Sequence, residues 1–274
     1  MIPAKFDYEL AGSVEHALEL LGSREDAKLL AGGHSLLPLM RLRFAAPSLL
    51  VDIGRLRDLS YVRDDGDRIA IGALTRYHDL ERDELLRREC AIVAHASGLV
   101  GDPQVRHLGT IGGSVAHGDP ASDLPTVLLA LGSEFVVRSP QAVRTIGSAD
   151  FFRGVFETAL EPQEVLTEIR VPKVGASGWS YRKFSRRAQD WAIVGVAALA
   201  RPNGSRAAVA LTNMGPTPVR AVAVERALAE GASAAEAAQA AAEGTSPPSD
   251  PNGSSEYRQH LARVLVRRAL EEAL

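Results

Sequence analysis

The chain has 274 residues, a formal net charge of −3 and 46% hydrophobic residues, enough apolar material for one large or two medium cores. Its lysines and arginines are scattered, so no basic stripe marks a nucleic-acid partner, and no apolar run approaches the roughly 20 residues of a membrane span. The opening MIPAKFDYEL has neither a charged leader nor an apolar h-region, and a soluble, cytoplasmic protein is the expectation.

Cysteine usage narrows the chemistry. Cys90 is the only cysteine, which rules out an internal disulfide and an iron–sulfur cluster held by four thiolates of this chain. The seven histidines show no HxxxH or HxH pair, so no metal site is expected.

In chain order, Ser13 to Leu21 has apolar residues at Val14, Ala17, Leu18 and Leu21, the spacing of one buried helix face. A short strand, Lys28–Leu30, runs into Gly32–Gly33; a helical segment containing Pro38 follows, then a strand at Leu49–Ile53. Asp65-Gly66 predicts a hairpin between Tyr61–Val62 and Arg68–Ile71. A helix pattern covers Asp79 to Leu99, a loop Gly101 to Gly113, and strands Glu134–Val137 and Val165–Val171. The Gly/Ser stretch at Gly175–Gly178 predicts a domain boundary. Beyond it lie strands Trp179–Phe184, Ile193–Leu199 and Ala207–Thr212, then Ala-rich helices ending with Ser255 to Leu274. Gly244–Gly253 reads as a linker or a contact arm, and Gly215-Pro216-Thr217-Pro218 as an exposed docking loop. The fold class is α+β, with a two-part region over residues 1–174, divided near 57/58, and a C-terminal domain over 175–274.

Two glycine-rich segments carry the chemistry. In Ala31-Gly32-Gly33-His34-Ser35-Leu36, adjacent glycines permit positive φ and close approach of a ligand, and successive N–H groups can form an anion nest. A plain strand–helix turn explains the same residues. The segment matches neither G-x-G-x-x-G nor a P-loop. The second segment, Thr110-Ile111-Gly112-Gly113-Ser114, offers a further loop with free N–H groups and two hydroxyls. Asp123, further on, suits a ribose or ribityl hydroxyl, or caps a helix over Leu124–Leu131. A long diphosphate ligand lying between two lobes would account for both segments.

The strings AGGHSLLPLMRLR and TIGGSVAHGDPASDLP resemble the two FAD-binding motifs of the flavoprotein subunits of molybdenum hydroxylases. Carbon monoxide dehydrogenase medium subunits are the nearer type, and xanthine dehydrogenase flavin domains are more distant. IPAKFDY, DPQVR, VLTEIRVP, YRKFSRRAQDWAIVGVA and LTNMGPTPVRA extend the resemblance along the chain. It implies a vanillyl-alcohol-oxidase-type fold of two subdomains gripping FAD, then a C-terminal domain with a three-stranded antiparallel sheet and helices. It also implies that both glycine segments hold the pyrophosphate, with His117 nearby, Asp123 on the adenosine side, and Val100 and Leu166 touching the cofactor. The flavin end falls at Lys183–Trp191: Lys183 donates to the ring carbonyls, Trp191 either shields one flavin face or packs in the core, and Asp190 is a weaker candidate near the reactive edge.

The implied activity is electron relay, from 2Fe-2S clusters of a small partner subunit through FAD to an external acceptor. A molybdopterin-containing large subunit completes the complex, as a dimer of heterotrimers. The alternatives are a stand-alone FAD-dependent oxidoreductase of a small molecule and a flavin-free scaffold that keeps only the fold.

Overall fold

The computed structural model describes residues 2–200 and 207–274. The first unit is a parallel three-stranded sheet, ordered β1 (Asp7–Leu10), β3 (Leu49–Asp52), β2 (Lys28–Leu30). Helix α1 (Val14–Ser23) buries Val14, Ala17, Leu18 and Leu21, the predicted face, and Ser13 caps it by accepting from the His16 N–H. Helix α2 (Leu36–Arg41) lies between β2 and β3.

The second unit is built on a five-stranded antiparallel sheet. Its hairpin, β4 (Val62–Asp65) and β5 (Arg68–Gly72), pairs Asp65 with Arg68, so the turn residues are Gly66 and Asp67, with Gly66 at φ 75°. The predicted helix over Asp79–Leu99 is three: α3 (Tyr77–Arg82), α4 (Glu84–Glu89) and α5 (Ala91–Gly98). Asp83 leaves the helical region and caps α4, and Cys90, at φ −153° and ψ 57°, separates α4 from α5. Cys90 is fully buried and its thiol is pushed up to about 12 by that burial.

The predicted loop Gly101–Gly113 is largely helical: α6 (Pro103–Leu108) and the start of α7 (Ile111–His117). Asp102 accepts from the Val105 N–H and Pro103 occupies the first turn, a start signal that was present in the sequence. Helix α8 (Asp123–Leu131) follows, then β6 (Glu134–Arg138), β7 (Val143–Gly147), the turn α9 (Ser148–Phe151), the small hairpin β8 (Phe152–Gly154) with β9 (Glu157–Thr158), and β10 (Val165–Pro172). The sheet order is β4-β5-β10-β6-β7.

The last sheet has four strands, not three: β11 (Trp179–Phe184), β12 (Val194–Ala200), β13 (Ala207–Thr212) and β14 (Val219–Arg220), all antiparallel. β14 has two residues behind Pro218, too short to leave a periodic signal. Helices α10 (Val222–Ala229), α11 (Ala234–Ala237) and α12 (Ser255–Ala273) complete the chain. One face of this sheet, Tyr181, Ala197, Leu199, Ala208 and Ala210, joins the core of the second unit. The other face, Val194, Val196, Ala198, Val209 and Leu211, packs with Leu261, Val266 and Leu270 of α12. Both faces being covered, β12 and β13 read as continuous apolar runs.

In the expected docking loop Gly215 and Pro218 are buried, Thr217 is half-buried and Pro216 is exposed. Residues 244–253 are tied to the chain: the Ser246 N–H donates to the Met214 carbonyl, and Asp250 pairs with Arg258. No helix among the described residues is long and apolar enough to cross a membrane.

The end of α12 closes on β11 at Gly178, where a Cβ would stand 2.0 Å from the Ala273 carbonyl oxygen. Gly178→Val is expected to lower stability by about 1–3 kcal/mol through overpacking. Urea denaturation should read this as a lower midpoint with an unchanged slope.

Candidate FAD site

The first glycine segment leaves its donors unused. Among the described residues, none of the backbone N–H groups of Gly32, Gly33, His34, Ser35 and Leu36 donates a hydrogen bond. Gly33 is at φ 74°, which turns the chain between β2 and α2. Ser35 occupies the cap position of α2 but makes no side-chain cap bond, so its hydroxyl stays available. Ala31 and Leu36 are half-buried and His34 is exposed. A run of unpaired N–H groups at a glycine turn fits an anionic diphosphate.

The second segment works differently, which corrects the expectation of a second loop with free donors. Thr110 caps α7, accepting from the Gly113 N–H at 3.1 Å. The Ile111 N–H donates to the Thr75 carbonyl at 3.1 Å, that of Gly112 to Ala73 at 2.8 Å, and that of Ser114 to Thr110 at 3.1 Å. These glycines serve contact instead. A Cβ on Gly112 would lie 2.5 Å from the Ala73 carbonyl oxygen, and one on Gly109 2.7 Å from the Tyr77 ring. Gly113 has helical geometry, and its Cβ would meet only Thr110 Oγ1, at 2.8 Å.

The two segments adjoin. A Cβ on Gly32 would stand 2.2 Å from the Leu108 carbonyl oxygen and 2.9 Å from Gly109 Cα. The donor-rich turn therefore lies against the backbone that leads into Thr110. Near Ser114 the buried Tyr77 hydroxyl is pushed up to about 12, chiefly by desolvation, with the Asp123 charge adding to it.

Asp123 opens α8 and is buried, at 6% exposure. Ser122 holds the cap position, so Asp123 is not the helix cap that the sequence suggested. Its Oδ1 accepts from the Tyr181 hydroxyl at 2.6 Å and its Oδ2 from Lys183 Nζ at 2.9 Å. Lys183, its side chain 7% exposed, also donates to the Leu99 carbonyl at 3.0 Å, beside Val100. Burial raises the Asp123 carboxyl, while Lys183 and Tyr181 pull it back down. Asp123 and Lys183 thus form one buried pair, whereas the resemblance assigned them to different parts of the cofactor. Tyr181 was not anticipated, although it alternates with Lys183 along β11, the spacing of one sheet face.

Trp191 is 57% exposed, which removes the core-packing reading. It lies in the excursion between β11 and β12, next to Asp190, whose N–H donates to the Arg187 carbonyl. Leu166 is buried in β10 beside a register shift. His117 ends α7 with its ring 4.9 Å from that of Phe156, and burial lowers its pKa against the opposing charge of Asp119.

The buried Asp123–Lys183 pair generates a stability prediction. Asp123→Asn or Lys183→Met alone is expected to cost about 3–5 kcal/mol, because each leaves its partner buried without compensation. The double variant should recover part of that loss in a double-mutant cycle followed by urea denaturation. Additive costs would mean that the two groups do not act as a pair.

Residues 4–174 match the family described as the FAD binding domain in molybdopterin dehydrogenase, and residues 179–273 the CO dehydrogenase flavoprotein C-terminal domain. The chain is 42% identical to the carbon monoxide dehydrogenase medium chain of Hydrogenophaga pseudoflava, covering 100% of this chain and 98% of that one. It is 36% identical to the glyceraldehyde dehydrogenase medium chain of Sulfolobus acidocaldarius, over 99% of each. The solved structure of the H. pseudoflava carbon monoxide dehydrogenase lacking the Mo-pyranopterin moiety superposes with a TM-score of 0.96 at 43% identity, covering 100% of this chain and 98% of that chain. The chain belongs to the family of FAD-binding proteins of molybdopterin dehydrogenases that includes the carbon monoxide dehydrogenase medium chains.

Proposed function

We propose that this chain is the flavoprotein subunit of a molybdenum hydroxylase, relaying electrons from 2Fe-2S clusters of a small partner subunit through FAD to an external acceptor. The observation that carries this reading is the row of unpaired N–H groups at Gly32–Leu36 lying against Leu108–Gly109. FAD held here would supply the exchange between single-electron and two-electron transfer. The protein's part is to hold, orient and tune it.

In this reading the N–H groups of Gly32 to Leu36 and the Ser35 hydroxyl take the pyrophosphate, with Ala31 leading into the turn. Thr110 and Ser114 add hydroxyls, while Ile111, Gly112 and Gly113 set how closely α7 approaches. Asp123 and Lys183 act at one station toward the ribityl and ring, with Val100 and Leu166 lining it and His117 at the periphery. Trp191 covers a flavin face, a role open to an aromatic side chain that the rest of the chain leaves exposed. Asp190 stands near the reactive edge. The fold reading is the vanillyl-alcohol-oxidase type, with two FAD-gripping subdomains over 1–57 and 58–174 and a C-terminal domain over 175–274.

The whole complex is read as a dimer of heterotrimers in the cytoplasm, with a large molybdopterin subunit choosing the substrate. Relatives named for carbon monoxide and for glyceraldehyde share this chain's full length, which fits substrate choice lying on another subunit.

Two measurements test the reading. Gly33→Val is expected to abolish FAD binding in a chain that still folds, because a β-branched residue at φ 74° disfavours the turn by about 1–2 kcal/mol and its Cβ would push against Leu37 at 2.9 Å. Gly112→Val should instead lower the melting temperature, since its Cβ meets Ala73 rather than ligand. Full flavin stoichiometry in Gly33→Val would take the turn out of the site. Mild purification from the native host should bring along a cluster-bearing subunit and a molybdopterin subunit. A lone monomer with rapid substrate turnover would overturn the relay in favour of a stand-alone oxidoreductase.

A further inference from the structure

The segment LTNMGPTPVRA has no part in the site as described, yet Asn213 within it touches two of the site's elements at once. The excursion that carries Trp191, residues 185–192, closes at its base where the Ile193 N–H donates to the Phe184 carbonyl at 2.8 Å. Two outside side chains grip that base. Asn213 Nδ2 donates to the Ala192 carbonyl at 2.9 Å and, at 3.4 Å, to that of Ile193. Arg258 of α12, buried at 1% exposure, donates from Nη1 to the Ile193 carbonyl at 2.5 Å and from Nη2 to Asp250 at 2.6 Å.

The backbone of Asn213 reaches the other way. Its N–H donates to the Pro120 carbonyl at 2.8 Å, inside the HGDPASD stretch that joins α7 to α8. Asn213 holds φ 60°, a left-handed conformation that Asn tolerates better than other residues bearing a Cβ. One residue thus spans from the second glycine motif to the Trp191 excursion, through its main chain on one side and its amide on the other. Arg258 braces the Ile193 carbonyl and leaves its Nε without a partner among the described residues.

We infer that Asn213 is a positioning residue that fixes the Trp191 excursion to the second glycine motif, with Arg258 as its brace. This rests on the reading of Trp191 and that motif as parts of the FAD site. Its consequence is that the aromatic cover and the residues leading to Asp123 move as one body. A flavin held at Asp123 and Lys183 then meets Trp191 at a set position.

The test uses the full-length chain carrying Trp179→Phe, which leaves Trp191 as its one tryptophan. Emission anisotropy is read without FAD, and quenching of Trp191 is read on adding FAD to saturation. Asn213→Gly keeps the left-handed backbone and the bond to Pro120 but removes the amide. Asn213→Asp keeps the shape and turns a donor toward two carbonyls into an acceptor. Arg258→Lys keeps the charge but not the fork that reaches both Ile193 and Asp250.

Both Asn213 variants are expected to keep the parent's flavin stoichiometry and cooperative melting, to lose Trp191 anisotropy without FAD, and to lose part of the quench with it. Arg258→Lys should show the same signature more weakly. Anisotropy and quench equal to the parent in both Asn213 variants would overturn the inference. So would failure of both to fold, which would make Asn213 a core residue. A parent that binds FAD with no change in Trp191 emission would instead remove Trp191 from the flavin site, leaving the anisotropy of the FAD-free chain to decide the role of Asn213.

Discussion

Helix α8 is buried along its whole length, between the five-stranded sheet and the C-terminal sheet, and the molecule closes around its charged end. An isolated carboxylate there would be prohibitively costly to desolvate. Asp123 is tolerable because Lys183 and Tyr181 reach it from β11 and because a helix N-terminus favours negative charge. The pair thereby ties the first C-terminal strand to the helix, and Lys183 extends the tie to the end of α5 through the Leu99 carbonyl. A second bond across the same interface, from Thr212 Oγ1 to Thr126 Oγ1 at 2.8 Å, fixes β13 on α8. Apolar contact supplies most of the burial energy, and these few polar contacts set where the parts sit.

The two glycine motifs divide their labour along the same physical lines. Around Gly33 the backbone is turned so that its donors find no acceptor among the described residues, which leaves them open to an anion. Around Gly112 every donor from Ile111 to Ser114 is satisfied, and the missing side chains let α7 lie against Ala73 and Thr75. One segment leaves its donors open and the other packs. Gly32 joins them, since its lack of a Cβ lets the recognising turn rest on Leu108–Gly109.

The C-terminal sheet is covered on both faces and presents mostly alanine and valine to the helices packed on it. Three side chains of the proposed site stand at its ends. Lys183 projects from one end of β11, Trp191 from the excursion after it, and Asn213 from the end of β13. Lys183 and Asn213 are held there by hydrogen bonds, Lys183 to Asp123 and Leu99, Asn213 to Ala192 and Pro120.

Local patterns in the sequence determined a good deal. The apolar spacing of α1, the strands β10 to β13 and both glycine segments were legible because each is written in neighbouring residues. Asp102-Pro103 was equally legible as a helix start, and the reading of that stretch as a loop passed over it. The motif strings were enough to identify the family and its cofactor. What each residue does within the site was decided only by tertiary structure. The carboxyl of Asp123 carries no sequence mark that its partner is Lys183, 60 residues away, nor could Gly112 announce that Ala73 lies where its Cβ would be. Similar glycine pairs took opposite roles because the acceptors that silence one and spare the other come from distant strands and turns. Hydrogen bonding and burial depend on which distant elements meet, and periodicity in a single chain does not encode that.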